Sequence, residues 1–125
     1  MQTHKFPFHI AYADTDAGGI VYHARYVEIA ERARMQIFEA ANDPTCGFVV
    51  RSLGVRFMKP LLLNDHIIVE SQITGHGAAT LDIEQKFTKN GDVSAVLKCT
   101  IACIGGDMRP VRLSRAWLDL AEQKD

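Results

Sequence analysis

The feature that most constrains this chain is a long region of alternating apolar and polar residues, which fills most of its second half. Between about Val49 and Cys103, successive runs place apolar side chains largely at every second position. A period of two puts those side chains on one face of a β-strand, so the region predicts four strands, each with a buried face. Lys89-Asn90-Gly91-Asp92 predicts a tight hairpin between the last two, because Asn-Gly suits the positive φ angles of a two-residue turn.

A strand and a long helix are predicted ahead of this region. Phe6, Phe8, Ile10 and Tyr12 alternate with more polar positions and indicate the strand. Apolar residues at helical spacing then predict an amphipathic helix from about Ala24 to about Ala41. Its apolar stripe includes several small alanines, which allow close packing on a sheet. Most of the remaining helix positions are charged: Glu28, Glu31, Arg32, Arg34 and Glu39.

The order of these elements defines a fold class. One strand, one long helix and four strands in a single domain of residues 1–125 indicate an α+β protein, a five-stranded antiparallel sheet wrapped around the helix. One helix covers one sheet face incompletely and leaves an edge strand open. We therefore expect an oligomer that hides these surfaces.

Composition narrows the possible functions and locations. The 125 residues carry a formal net charge of -1, which argues against a nucleic-acid partner, and 47% of them are hydrophobic, enough to form a core. We find neither a signal-peptide h-region nor a run long enough to span a membrane, so stable membrane insertion is not expected and the cytoplasm is the expected location. The odd count of cysteines (Cys46, Cys99 and Cys103) predicts free thiols, the last two on the apolar face of the final strand.

Chemistry-bearing residues crowd the segment from Tyr12 to His23, which leads into the helix. A capped turn, with Asp14 or Asp16 accepting main-chain N–H bonds, explains one carboxylate and the glycines. A metal site built from Asp14, Asp16 and His23 is disfavoured, since no second cluster offers further ligands. The functional interpretation uses the helix end. Its unpaired N–H groups can bind the carbonyl oxygen of an acyl group, while a carboxylate attacks the carbonyl carbon or deprotonates water.

The run YADTDAGGIVYHARYVEIAERAR, residues 12–34, resembles the signature of hotdog-fold acyl-CoA thioesterases. Within them it is most similar to the YbgC group, related to the 4-hydroxybenzoyl-CoA thioesterases. The resemblance implies the hotdog fold, which agrees with the periodicity. It also implies hydrolysis of an acyl-CoA thioester to a free acid and coenzyme A, with no metal and no cofactor other than the coenzyme A of the substrate.

The resemblance also assigns roles to individual residues. It implies that Asp16 is the catalytic carboxylate, as nucleophile or as general base, with Tyr12 and His23 beside it. The main-chain N–H at or near His23 is the implied oxyanion donor. Residues expected to shape the turn or contact substrate are Gly19, Val21 and Tyr22. The basic residues that are candidates for the coenzyme A phosphates are Arg51, Arg56, Lys59, Lys86, Arg109 and Arg112, of which the first three are the main ones. The connection over residues 41–48 is shorter than usual for this group, so no acyl-chain preference is predicted.

Partners and rival functions follow from the same resemblance. It implies a homodimer with the active site at the interface, and a homotetramer built from two such dimers. The main alternative is a non-catalytic hotdog protein that binds acyl thioesters or associates with an envelope complex. The presence of both Asp16 and His23 favours the enzyme. A hotdog dehydratase is disfavoured because its His-containing helix motif is absent.

Overall fold

The order of strands and helices agrees with the sequence pattern, in which Ser114 also predicts the N-cap of a last short helix from about Arg115 to about Ala121. The computed structural model describes residues 2–122. Its strands are β1 (His4–His9), β2 (Gly47–Phe57), β3 (His66–His76), β4 (Thr80–Lys89) and β5 (Asp92–Ile104), and its α-helices are α1 (His23–Ala41) and α2 (Arg115–Glu122). A short 3-10 helix, Tyr12–Asp14, follows β1. The predicted bounds of α1 differ from the observed ones by one residue at the N-terminal end.

The five strands form one antiparallel sheet in the order β1-β3-β4-β5-β2. Helix α1 packs against one face of it, with the ring of Tyr26 5.2 Å from that of Phe87 in β4. A single hydrophobic core lies between them. The predicted hotdog architecture, a five-stranded antiparallel sheet with one long helix, is therefore confirmed. Asn90 and Gly91 have φ angles of 52° and 83°, as the predicted β4–β5 hairpin requires.

Strand β2 forms one edge of the sheet and pairs only with β5. It is eleven residues long, and its large apolar side chains are unusually open, with Val50 45% and Phe57 51% exposed. Long apolar edge strands invite pairing with another chain. Within residues 2–122, neither helix has both the length and the apolar character needed to cross a membrane.

Arg34 lies on the buried side of α1, so its assignment to the charged surface was wrong. The residue is only 3% exposed and donates from Nη1 to Oε1 of Gln85 at 3.0 Å. Gln85, fully buried in β4, donates in turn to the main-chain oxygen of Ala30 at 2.8 Å and to Oγ of Ser71 at 3.0 Å. This network joins the middle of the helix to two central strands and is a buried polar connection within an otherwise apolar core.

Tyr12 also departs from the predicted pattern. Strand β1 ends at His9, and the chain turns into the 3-10 helix after Ile10, which is completely buried. Tyr12 is therefore not the next inward-facing strand residue but is 83% exposed. The alternation stops because the main-chain N–H of Asp14 bonds to the oxygen of Ala11, which closes a helical turn instead of a strand ladder.

The prediction of free thiols is wrong for two of the three cysteines. Cys46 and Cys103 form a disulfide across 57 residues of sequence. The pairing of β2 with β5 brings them together, since Phe48 is the register partner of Cys103. Cys99 remains a free, buried thiol, and burial raises its pKa, in keeping with its predicted role as a small core residue.

Reduction of this disulfide should lower the free energy of unfolding by about 3 kcal/mol, because the bond restricts the unfolded chain. Urea denaturation with and without a thiol reductant measures the effect as a shift in midpoint. A Cys46→Ser variant should have the lower midpoint in both buffers. Equal midpoints for the wild-type chain in the two buffers would contradict the prediction.

Candidate active site

A tight turn between the 3-10 helix and α1 carries Asp16. The Gly19 N–H bonds to the main-chain oxygen of Asp16 at 3.0 Å, and the Asp16 N–H bonds to that of Ile20 at 2.9 Å. Gly19 adopts a φ of +80°, a conformation that costs other residues about 1–2 kcal/mol. The carboxylate of Asp16 accepts the Gly18 N–H at 2.8 Å through Oδ1. Within residues 2–122 its other oxygen has no hydrogen-bond donor, so it is free to react.

The second carboxylate of the segment, Asp14, is held in place by its neighbours. It is 2% exposed, and its Oδ2 accepts the Ala11 N–H at 2.8 Å. Its Oδ1 accepts Nε–H of Arg25 at 2.7 Å, a hydrogen bond that raises the pKa of Arg25. Asp14 thus ties the first turn of α1 to the preceding loop. Because both its oxygens are engaged, it is not available to share a cation with Asp16.

The N-terminus of α1 supplies unpaired donors. Tyr22 is the N-cap residue in an extended conformation, and its side chain makes no capping hydrogen bond. The first N–H with a partner in the helix is that of Arg25, which bonds to the Tyr22 oxygen at 2.9 Å. In the part of the chain that the structure describes, the N–H groups of His23 and Ala24 have no acceptor. The helix dipole adds partial positive charge at this point.

A cavity of about 300 Å³ joins the helix start to the Asp16 turn. It is lined by Asp16, Ile20, Val21, Tyr22, His23, Tyr26, Phe57, Met58, Lys59 and Pro60. Most of the wall is apolar or aromatic, and Asp16, His23 and Lys59 are its titratable side chains apart from the two tyrosines. Such a mixture suits an apolar substrate with one polar reacting group.

The structure brings together part of the predicted residue set. Five of the predicted residues line the cavity: Asp16, Val21, Tyr22, His23 and Lys59. Gly19 shapes the turn without lining the cavity. Tyr12 is not among the lining residues of the same chain, and Arg56 lines a neighbouring cavity instead. Arg51 lies in β2, where the register shifts between Val50 and Ser52.

Several residues that line the cavity were not predicted from the sequence. Tyr26 fitted the apolar stripe of the helix, yet it is a cavity residue whose ring contacts that of Phe57, with centroids 5.0 Å apart. Burial raises the pKa of its phenol, opposed by a hydrogen bond with the Leu61 main chain. Met58 and Pro60 enter from the segment after β2. In the sequence, the only feature that marks Met58 and Pro60 is the end of the predicted strand at Phe57, shortly before the proline.

The fold and this site together define a hotdog thioesterase. The sequence profile of the Thioesterase-like superfamily matches residues 10–120. The chain therefore belongs to the thioesterase-like superfamily. It is 34% identical to the acyl-CoA thioesterase YbgC of Haemophilus influenzae over 116 residues, which cover 86% of this chain and 85% of that protein. The predicted resemblance to the YbgC thioesterases is confirmed.

A second sequence relative and a solved structure are also thioesterases by name. An acyl-CoA thioester hydrolase YbgC of Escherichia coli is 35% identical over 90 residues, covering 66% of this chain and 67% of that protein. The crystal structure of a probable thioesterase from Bartonella henselae superposes with a TM-score of 0.81 at 30% identity, covering 90% of this chain and 98% of that one. The prediction of a thioester-hydrolysing enzyme agrees with both.

Proposed function

We propose that this chain hydrolyses acyl-CoA thioesters, with Asp16 as the catalytic carboxylate. The observation that carries the proposal is that Asp16 and His23, the first residue of α1 and one whose main-chain N–H has no acceptor in residues 2–122, line one cavity. The relatives named acyl-CoA thioesterases support the substrate class. A cytoplasmic location is part of the same proposal, and it implies that the Cys46–Cys103 pair meets reducing conditions, since thiols are kept reduced in that compartment.

The proposed reaction adds water across the thioester bond. The carbonyl oxygen accepts a hydrogen bond from the main-chain N–H of His23, and this bond and the helix dipole stabilise the negative charge of the tetrahedral intermediate. Asp16 either attacks the carbonyl carbon or takes a proton from the attacking water. If Asp16 acts as the base, breakage of the carbon–sulfur bond releases the free acid and the thiolate of coenzyme A, which takes up a proton. If Asp16 acts as the nucleophile, the same bond breaks to leave an acyl anhydride on Asp16, and a water molecule then hydrolyses this anhydride to the free acid and the Asp16 carboxylate.

The other predicted catalytic residues have different positions in this proposal. His23 lines the cavity and is placed to exchange a proton with water or with the leaving thiol. Tyr22 forms the wall beside it, with ring centroids 5.8 Å apart. Tyr12 stays a prediction, because in the single chain its exposed side chain lies outside the cavity lining.

Thiol release from short-chain, long-chain and aromatic acyl-CoA esters tests the proposed function. We expect hydrolysis of at least one ester at a rate that is proportional to enzyme concentration. Binding without turnover would contradict the proposal and favour the non-catalytic acyl-thioester-binding protein. Measurement of the free acid alongside the thiol distinguishes hydrolysis from acyl transfer to another acceptor.

We also propose that the active unit is a homodimer, or a tetramer of two dimers, joined through the open edge of β2. The proposal is supported by the length of that strand and by its exposed apolar side chains, which a partner strand would cover. Phe57, the last residue of the same strand, lines the cavity. A partner at this edge would therefore help to enclose the bound acyl group.

Light scattering at micromolar concentration should give at least twice the mass of one chain. A Leu53→Lys variant, which adds a charge to the 42% exposed position in β2, should shift the population towards monomer. Val111→Lys is the matched control, because Val111 is 41% exposed and lies outside β2. A monomeric wild-type chain would refute the proposed assembly.

A further inference from the structure

A second cavity, of about 520 Å³, lies next to the candidate active site. Met58, just after β2, lines both cavities. The end of β2 separates them because neighbouring side chains on a strand point to opposite faces. Phe57 faces Tyr26 and the first cavity, whereas Arg56 lines the second. A molecule passing Met58 would therefore reach from the helix start to the sheet face that α1 does not cover.

Three cations from three neighbouring strands line this second cavity: Arg56 of β2, Lys86 of β4 and Lys98 of β5. The register places Arg56 and Lys86 on either side of Val96 in one row across the sheet. Lys98 lies in the next row, between Gly54 and Glu84. All three therefore lie on the sheet face opposite the helix, where the pleat brings them to one patch.

Within the lining of this cavity three cations meet one carboxylate, while Glu70, the register neighbour of Lys86 on β3, lies outside the lining. Glu84 is the carboxylate of the lining, and the Nζ atoms of Lys86 and Lys98 each lie 3.8 Å from one of its oxygens. Among residues 2–122, no carboxylate lies within 4 Å of the Arg56 guanidinium. The excess of positive charge is local, since the whole chain carries a formal net charge of -1.

The floor of the cavity leaves room for a ligand on these cations. A Cβ atom built on Gly54 would have no other atom within 4 Å. Val96 has a short apolar side chain between Arg56 and Lys86. An open floor ringed by one guanidinium and two ammonium groups matches a phosphate, because Arg can bind two phosphate oxygens at once and Lys adds point charge.

We propose that this patch binds the phosphates of the coenzyme A portion of the substrate. The inference rests on the proposed function and adds a specific binding subsite to it. The thioester carbonyl lies at the start of α1, the pantetheine arm crosses the end of β2 at Met58, and the phosphates lie on Arg56, Lys86 and Lys98. Of the six basic candidates from the sequence, this subsite uses Arg56 and Lys86, and it adds Lys98.

The test compares two thioesters of the same acyl group, one of coenzyme A and one of N-acetylcysteamine, which has no phosphate. Arg56→Gln and Lys98→Gln should each lower the preference for the coenzyme A ester, expressed as the ratio of the two kcat/KM values, about tenfold. The loss should be in KM. Arg115→Gln is the control, because Arg115 lies in α2 and pairs with Asp119; it should leave the ratio unchanged.

Glu84→Gln should change KM for the coenzyme A ester in the opposite direction to Arg56→Gln and Lys98→Gln. Removal of the competing carboxylate should lower KM for the coenzyme A ester about twofold, an improvement that damage to the fold would not give. Increasing the salt concentration should raise KM for the coenzyme A ester and leave that for the short ester nearly constant. Equal effects of the Arg56 and Lys98 variants on both esters would refute the subsite.

Direct binding separates this inference from the proposed function. If no thioester is hydrolysed, the proposed function fails, but calorimetry with coenzyme A and with pantetheine still measures the subsite. We expect coenzyme A to bind more tightly than pantetheine, and the Arg56→Gln/Lys98→Gln variant to remove most of that difference. Equal affinities of the wild-type chain for the two thiols would overturn the inference even if hydrolysis is observed.

Discussion

Asp16→Asn should lower kcat/KM for acyl-CoA hydrolysis about 100-fold or more, because the amide can neither attack the carbonyl carbon nor accept a proton from water. The substitution changes little else. The amide oxygen can still accept the Gly18 N–H, which now bonds to Oδ1 at 2.8 Å. The turn that presents the side chain is thereby preserved, and the loss should be chemical rather than structural.

Thiol release by the purified variant and the wild-type chain measures this effect, with the urea midpoint as a check on folding. Asp107→Asn is a suitable control, since Asp107 caps an exposed turn after β5 and accepts the Arg109 N–H. The control should hydrolyse the ester at the wild-type rate. A rate for Asp16→Asn within about threefold of wild type would mean that another group is the catalytic carboxylate.

Gln85→Leu should have the largest effect on stability, a loss of about 3–5 kcal/mol in the free energy of unfolding. The leucine fills similar space but deprives the Arg34 guanidinium and the Ser71 hydroxyl of a buried partner, and leaves the Ala30 oxygen with only its hydrogen bond inside the helix. A charged group without an acceptor in a core is the most costly of these. Urea denaturation gives the value directly.

A double-mutant cycle shows whether Arg34 causes that loss. Arg34→Met alone removes the charge and should cost about 1–2 kcal/mol, because Gln85 keeps its other two hydrogen bonds. Arg34→Met/Gln85→Leu should be more stable than Gln85→Leu alone, since no unpaired charge remains in the core. Additive losses would show that the two side chains act independently.

Local patterns predicted most of the fold. The apolar stripe gave the extent of α1, and Asn90-Gly91 gave the hairpin, because both signals depend on residues a few positions apart. Arg34 could not be placed in this way. Its acceptor, Gln85, lies 51 residues away in sequence, and only the packing of α1 on β4 makes burial of the charge possible. The Cys46–Cys103 bond has the same origin, since strand pairing brings its two halves together.

The candidate site also contains residues that the sequence motif predicted and residues that only the fold brings into place. Asp16 and His23 were predicted together because they belong to one continuous segment that leads into a helix. Phe57 and Met58 close the cavity from the end of β2, and no pattern near the motif reveals this contact. The patch of Arg56, Lys86 and Lys98 required the strand register, because the sequence offered Arg56 and Lys86 only as separate candidates and gave no reason to include Lys98.

The aromatic cluster under α2 determines what optical measurements on this protein will detect. Trp117 is its single tryptophan, 2% exposed, and its ring lies 4.7 Å from that of Phe48 and 5.6 Å from that of Phe38. Phe38 is fifteen residues along α1 from His23, about 22 Å at the rise of an α-helix. Tryptophan fluorescence will therefore report undocking of α2, whereas a substrate that enters the cavity will be seen through Tyr22 and Tyr26.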